Sequence, residues 1–332
     1  MSSAKQSAKP RWRLRRAALV VVIALAAAQV LSWFTGDPQV GQFRTAADRA
    51  AYEAVYAQAF TRMPKPTLTI DVPTSFGVVR VYQWVNPDAP AVPVVLLPGR
   101  GSGVPMWSEN LPSLLAQRTV YALDALGDAG LSAQTVPLTS AADQAIWIDE
   151  VLGGLGVTRA HIVGHSFGAA SAASLAVHRP GRVASLTLLE PAFVLNWPPV
   201  STLAWSILAT LPFLPQSWRD AAVAKVAGED PGAIDPDDPI ARMITLGSTG
   251  YSAELPTPNP LSESQLRGLT MPVYVAIAEA SPITNGADSI HKADLIPVVE
   301  AKIWPNTSHS LPMQVPEPLA VELADFWARH HS

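Results

Sequence analysis

Ala160-His161-Ile162-Val163-Gly164-His165-Ser166-Phe167-Gly168 is an apolar run that ends on one serine set between two glycines. A strand that reverses sharply into a helix crowds its own backbone, and glycines remove Cβ atoms where such a turn is tightest. The pattern predicts that Ser166 projects above a sheet edge, at the positive end of the following helix, where free amide N–H groups can stabilise an oxyanion. The flanks agree. Ala169, Ala170, Ala172, Ala173, Leu175, Ala176 and Val177 continue without a proline to Pro180, and Val183 to Leu189 reads as the next strand. Strand, helix, strand at this length is the crossover unit of a parallel sheet, so Ser166 is expected at a strand's carboxyl end, where open α/β sheets bind ligands.

Outward from this stretch, Thr67 to Val72 and Gly77 to Val85 alternate around a turn signal as an antiparallel hairpin. Val92 to Leu97 is a buried strand ending in the turn Pro98-Gly99-Arg100-Gly101-Ser102-Gly103, and Thr119 to Asp124 is the next. Ala145, Ile148, Leu152 and Leu155 form one apolar helix face. From Pro191 to about Gly268 the pattern changes to Trp197, Pro198, Pro199, Trp205, Pro212, Phe213, Pro215 and Trp218, then an acidic, proline-rich stretch from Glu229 to Pro239. This reads as a cap inserted after the sixth strand, its aromatic residues either lining an apolar pocket or packing on the sheet edge. Met271 to Ala278 resumes the sheet, Val298 to Trp304 is its last strand, and Pro316 to Arg329 a closing helix.

With 332 residues, 48% hydrophobic and 15% charged, the chain can bury a large core and is expected to hold one catalytic domain plus appendages. Lys5, Lys9, Arg11, Arg13, Arg15 and Arg16 precede an apolar run from Ala17 to Phe34. At 1.5 Å per helical residue that run spans about 27 Å, close to the hydrocarbon thickness, so 1–16 reads as a basic cytoplasmic tail and 17–34 as a transmembrane signal anchor. A cleaved signal peptide is the alternative, with Ala26 and Ala28 before Gln29 as the cleavage site. Either way the rest is expected to be exported, membrane-bound or secreted. The segment 35–66 is expected to link anchor to domain as a helix, with Ala47, Ala51, Ala54, Val55 and Ala59 near helical spacing. Without the six N-terminal cations, 17 basic and 27 acidic residues leave about −10, which argues against nucleic acid as a partner. The absence of cysteine excludes disulfides and a thiol nucleophile, and the seven histidines, His330 and His331 included, show no recognisable metal spacing.

A serine cannot attack a carbonyl unaided near neutral pH; its proton must pass to a base. His309, in N-T-S-H-S-L-P after the last strand, is expected at the same carboxyl edge as Ser166. His161 lies inside the serine's own strand and His165 at the variable position of the turn, so both are assigned to packing, and His291 is a weaker alternative.

The chain resembles the α/β-hydrolase superfamily through L-L-P-G-R-G-S-G-V-P-M-W (Leu96 to Trp107), the G-H-S-F-G turn, and a histidine loop before a terminal helix. The resemblance implies an eight-stranded, mostly parallel sheet flanked by helices, built from 67–190 and 269–332, with 191–268 as the helical cap. It also implies an oxyanion hole of backbone N–H groups, carried over to Arg100 and Phe167. The Arg100 guanidinium is left either to a substrate carboxylate or to solvent. Pro98-Gly99 replaces the usual His-Gly, and the pattern after the fourth strand, Asp124, Gly127, Gly130, Ser132, is one residue longer than usual. The usual acid position after the seventh strand aligns with Ser281, which carries no charge. Glu190, ending the sixth strand in L-L-E-P-A-F, is placed first as the acid, Glu279 second and Asp288 third.

The expected function is serine-dependent hydrolysis of an ester or related acyl bond in a small, apolar substrate through an acyl-enzyme intermediate. It needs no cofactor and no metal. A perhydrolase or haloperoxidase-like activity would use the same residues. The missing acid at Ser281 motivates an alternative, a membrane-tethered, non-catalytic binding protein of this fold.

Overall fold

Val94–Leu97, Val120–Leu123, Ala160–His165, Val183–Leu189 and Val273–Ala278 each have every side chain buried. Continuous apolar runs of this length encode strands covered on both faces, the mark of a parallel sheet under helices. The computed structural model describes residues 39–330, apart from 212–213, 231, 233–234 and 236. Eight strands lie along one sheet: β1 (Leu68–Thr74), β2 (Gly77–Trp84), β3 (Val94–Leu97), β4 (Val120–Leu123), β5 (Ala160–His165), β6 (Val183–Leu189), β7 (Val273–Ala278) and β8 (Val299–Trp304). Their spatial order is β8-β7-β6-β5-β3-β4-β2-β1, and a two-residue strand, Ala133–Gln134, pairs with β2 as a ninth. Strands β3 to β8 pair in parallel, while β1, β2 and β4 pair antiparallel. The sheet is that of the α/β-hydrolase fold, mostly parallel, with one short strand beyond the eight expected.

The helices of eight or more residues are α1 (Ala46–Phe60), α2 (Ala141–Gly154), α3 (Phe167–His178), α4 (Val200–Thr210), α5 (Gln216–Ala227), α6 (Pro239–Gly250), α7 (Gly286–Ala293) and α8 (Pro316–Arg329). They cover both faces, and strand side chains alternate between the two cores. Val95, Leu97, Val273 and Val275 meet α2 and α3, whereas Val94, Leu96, Tyr274 and Ala276 meet α1 and α8. From β3 the chain goes to β4 on one side and then returns to β5 on the other. At such a reversal the carboxyl ends of neighbouring strands open into a crevice. His165 on β5 pairs with Leu189 on β6, so the next residues, Ser166 and Glu190, leave adjacent strands at the same level.

One expectation is corrected here. The segment 35–66 is more than a linker, because α1 is part of the core: Tyr52, Val55, Tyr56 and Ala59 are buried, while Ala47, Ala51 and Ala54 face outward. Alanines report helix propensity, but the tyrosine rings carry the area worth burying and so set the packed face. Ahead of α1, Gln42–Phe43 pairs with Tyr251–Ser252 at the far end of α6.

Between β6 and β7, Trp205 and Trp218 line a cavity of about 160 Å³ with Leu208, Leu214 and Ala221, and Ser166 is not among its lining residues. Trp197 instead meets Phe193, with ring centroids 5.6 Å apart. The expected basic tail and membrane anchor, the cleavage site, and Pro212, Phe213 and His331 lie outside the described residues. Among the described residues no helix is long and apolar enough to cross a membrane.

Candidate active site

Ser166 stands between β5 and α3 with φ 54° and ψ −118°, a conformation side chains rarely adopt. Its two glycines make the turn possible. A Cβ on Gly164 would lie 2.4 Å from the Gly168 carbonyl oxygen, and one on Gly168 would lie 2.3 Å from that of Leu97. The Ser166 amide donates to the Leu189 carbonyl (3.0 Å), which ties the turn to β6.

His309 Nε2 lies 2.9 Å from Ser166 Oγ, and its Nδ1 lies 3.0 Å from Glu190 Oε2. The imidazole is nearly covered and the Glu190 carboxylate wholly so, at 12% and 0% exposure. Two further donors meet that carboxylate: the Ala278 amide reaches Oε1 at 2.6 Å and the Ser281 hydroxyl reaches Oε2. Ser281, the position where the resemblance leads one to expect the acid, therefore supports an acid one strand away. Glu190 itself has φ 49°. A buried carboxylate needs such donors to offset the loss of water.

The alternative acids lie elsewhere. Glu279 accepts the Asn306 amide (2.9 Å) and braces the loop leading to His309, while Asp288 is exposed on α7. His291 is exposed as well, and His161 packs as expected, bound to Ser185 Oγ (2.8 Å) and stacked on Trp327.

His165 does more than fill space. Its Nε2 lies 2.9 Å from the His309 carbonyl oxygen, which fixes Nε2 as the protonated nitrogen, and the two rings are 4.9 Å apart. Burial, and next the charge of His309, push His165 down to about 3, so it stays neutral. On its other side the His309 amide donates to the Ala227 carbonyl (3.0 Å) at the end of α5, and Ser308 and Ser310 both donate to Glu229. The histidine loop is thus held between the serine turn and the end of α5.

Among the described residues the backbone N–H groups of Arg100 and Phe167 find no acceptor. The turn carrying Arg100 is braced from beneath by two buried carboxylates that sequence reading did not single out for this role. Asp128 accepts the Gly101 amide (2.8 Å), and Asp124 accepts those of Val104 and Leu131 (both 2.8 Å) and the Tyr56 hydroxyl. Burial pushes the Asp124 carboxyl up to about 6 against the pull of these donors, and raises Asp128 against the pull of Arg100. Beside Ser166, Ala192, Phe193 and Ile283 form a small apolar cluster joined by Phe167, Leu203 and Val226. No group of three or more His, Asp or Glu side chains among the described residues is placed to hold a metal ion.

The model of the Alpha/beta hydrolase family matches residues 94–322. Carboxylesterase YbfK of Bacillus subtilis (strain 168) is 24% identical over 286 residues, covering 83% of this chain and 93% of the relative. Among solved structures, naproxen esterase from Bacillus subtilis superposes with a TM-score of 0.77 at 22% identity, covering 86% of this chain and 99% of that one. A membrane phospholipase A described as a bacterial virulence factor gives 0.70 at 17% identity, covering 96% and 99%.

Proposed function

Because the chain belongs to the alpha/beta hydrolase family, we propose that it is a serine esterase that works through an acyl-enzyme. The observation that carries this reading is the continuous line from Ser166 Oγ through His309 to Glu190, with contacts of 2.9 and 3.0 Å. Ser166 Oγ attacks the ester carbonyl while His309 Nε2 takes its proton. Glu190 holds the Nδ1–H tautomer and balances the imidazolium as it forms. The oxyanion receives the N–H groups of Arg100 and Phe167, a role supported by their having no acceptor among the described residues. His309 then protonates the departing alcohol, and water repeats the sequence to release the acid. The apolar side chains of Phe167, Phe193 and Ile283 favour an apolar acyl group.

The non-catalytic alternative rested on the uncharged Ser281. With Glu190 at the imidazole it has lost that support. The basic residues before 17–34 support a membrane-anchored, exported enzyme, which is part of the proposal.

The test is labelling of the full-length protein by a fluorophosphonate probe, with p-nitrophenyl ester hydrolysis in parallel. We expect label on Ser166 and at least about a 10⁴-fold loss of turnover in Ser166→Ala. Equal labelling and turnover in the two proteins would end the reading.

A further inference from the structure

Arg100 contributes two separable groups to the mouth of the site. Its backbone N–H is one of the two amides assigned to the oxyanion. Its guanidinium extends from the same turn to lie with its carbon 4.9 Å from the centroid of the Phe167 ring. Phe167 is the residue directly after Ser166, and its own amide is the other oxyanion donor. The cation therefore lies against the side chain next to Ser166, and Arg100 is an exposed residue. One contact ties it further: Nη2 donates to the Ala253 carbonyl (3.3 Å).

Among the described residues no carboxylate comes within ion-pairing distance of this guanidinium. The acid whose field it feels, Asp128, has both oxygens engaged, by the amides of Gly101 and Ala129 (2.8 Å each). Outside the N-terminal basic residues the chain as a whole carries about −10. Such a net charge repels an anion, and a cation at the site entrance reverses the field locally. From Phe167 an aromatic wall leads away through Phe193 (5.4 Å) to Trp197 (5.6 Å). A planar fork of N–H donors beside an oxyanion hole, with an apolar wall beyond, is complementary to a carboxylate on a short chain.

We propose that the Arg100 guanidinium is a carboxylate-binding subsite, and that the preferred substrates are esters carrying a carboxylate a few bonds from the scissile carbonyl. This rests on the esterase reading above. At ~1.5 Å per bond, the reach of one arginine side chain sets that separation at about two to four carbons. The chemistry is unchanged. With monoethyl glutarate, the acyl group passes to Ser166 Oγ, ethanol leaves with the proton held by His309, and water releases glutarate.

The experiment compares kcat/KM by pH-stat titration on the full-length enzyme for two pairs of esters. Monoethyl glutarate against ethyl pentanoate puts the carboxylate on the acyl side; 3-acetoxypropanoate against propyl acetate puts it on the alcohol side. The readout is the anionic-to-neutral ratio within each protein, so any disturbance of the oxyanion turn cancels. In Arg100→Met we expect that ratio to fall about 10- to 100-fold for one pair, the pair identifying the side, with partial retention in Arg100→Lys. A ratio unchanged within twofold in both pairs overturns the subsite and leaves the guanidinium as a tie to Ala253. Ser166-dependent cleavage of the neutral esters alone removes the subsite but keeps the esterase. Absence of Ser166-dependent cleavage of all four removes both.

Discussion

Ser166 and Glu190 end neighbouring strands at one level, and both take a left-handed backbone, φ 54° and 49°. They are held there by opposite means. The serine turn depends on two glycines of its own short stretch: a Cβ on Gly164 would collide with the backbone of Gly168, and one on Gly168 with that of Leu97 and Pro98. The glutamate corner has no glycine. It is held by donors from far along the chain, the Ala278 amide, the Ser281 hydroxyl and the His309 ring. A local device survives in a five-residue pattern. A distributed one leaves no pattern, because each partner is an ordinary residue until the sheet brings it close.

That contrast can be broken on either side. The largest effect is expected from Glu190→Gln, which keeps the shape but loses the charge and replaces one of the two acceptor oxygens shared by Ala278, Ser281 and His309 with an NH2 donor. Its kcat should fall about 10³- to 10⁴-fold, with the thermal midpoint little changed; steady-state kinetics beside calorimetry would show it, and a fall below tenfold would mean that another group orients His309. On the serine side, Gly168→Ala should act on folding. Its new Cβ would meet two backbone oxygens, of Leu97 and Pro98, at 2.3 and 2.4 Å, and backbone cannot yield as a side-chain tip does. We expect a loss of about 3 kcal/mol in denaturant unfolding. A stability within 0.5 kcal/mol of wild type, a margin about that of ordinary surface substitutions, would refute the packing argument.

Ser281→Ala sharpens the glutamate side, because it removes one of the donors and leaves the carboxylate in place. A loss of about tenfold in kcat, together with about 1 kcal/mol of stability, is expected. Full activity would make Ser281 a bystander. The smallest effect concerns His165, where both regions meet behind His309. Its ring is held neutral in the folded protein down to about 3, whereas the unfolded chain takes up a proton near 6.5. The unfolded state thus binds more protons between those limits, so this residue's share of stability is complete above pH 6.5 and is lost as the pH falls. His165→Gln, which keeps an N–H for the His309 carbonyl, should move the acid-unfolding midpoint down by roughly half a pH unit to one unit, followed by circular dichroism. An unmoved midpoint would contradict the assignment.

Much of the site was legible before the fold. The turn around Ser166 and the loop of His309 follow from short patterns and from strand order, and β6 runs from Val183 to Leu189 as read from the sequence. Glu190 was placed first among three acids by its position at a strand end. That ranking did not decide against Glu279, since both are glutamates at carboxyl ends of neighbouring strands. What separates them is that one turns toward His309 and the other braces Asn306. The packing of α1 into the core was not legible for a similar reason, as its tyrosines bury against Asp124 and Ala129, more than sixty residues on.

The amino-acid sequence alone determined the strands and helices and their order along the chain, the sharp turn at Ser166 and the composition of the N-terminal segment, because hydrophobic period, helix propensity and glycine's freedom act over a few residues at a time. Only the tertiary structure decided which carboxylate meets the imidazole, what Ser281 and His165 are for, and where the Arg100 charge rests. Those are distances between groups a hundred residues apart. Burial and hydrogen-bond satisfaction set them once the strands have found their register.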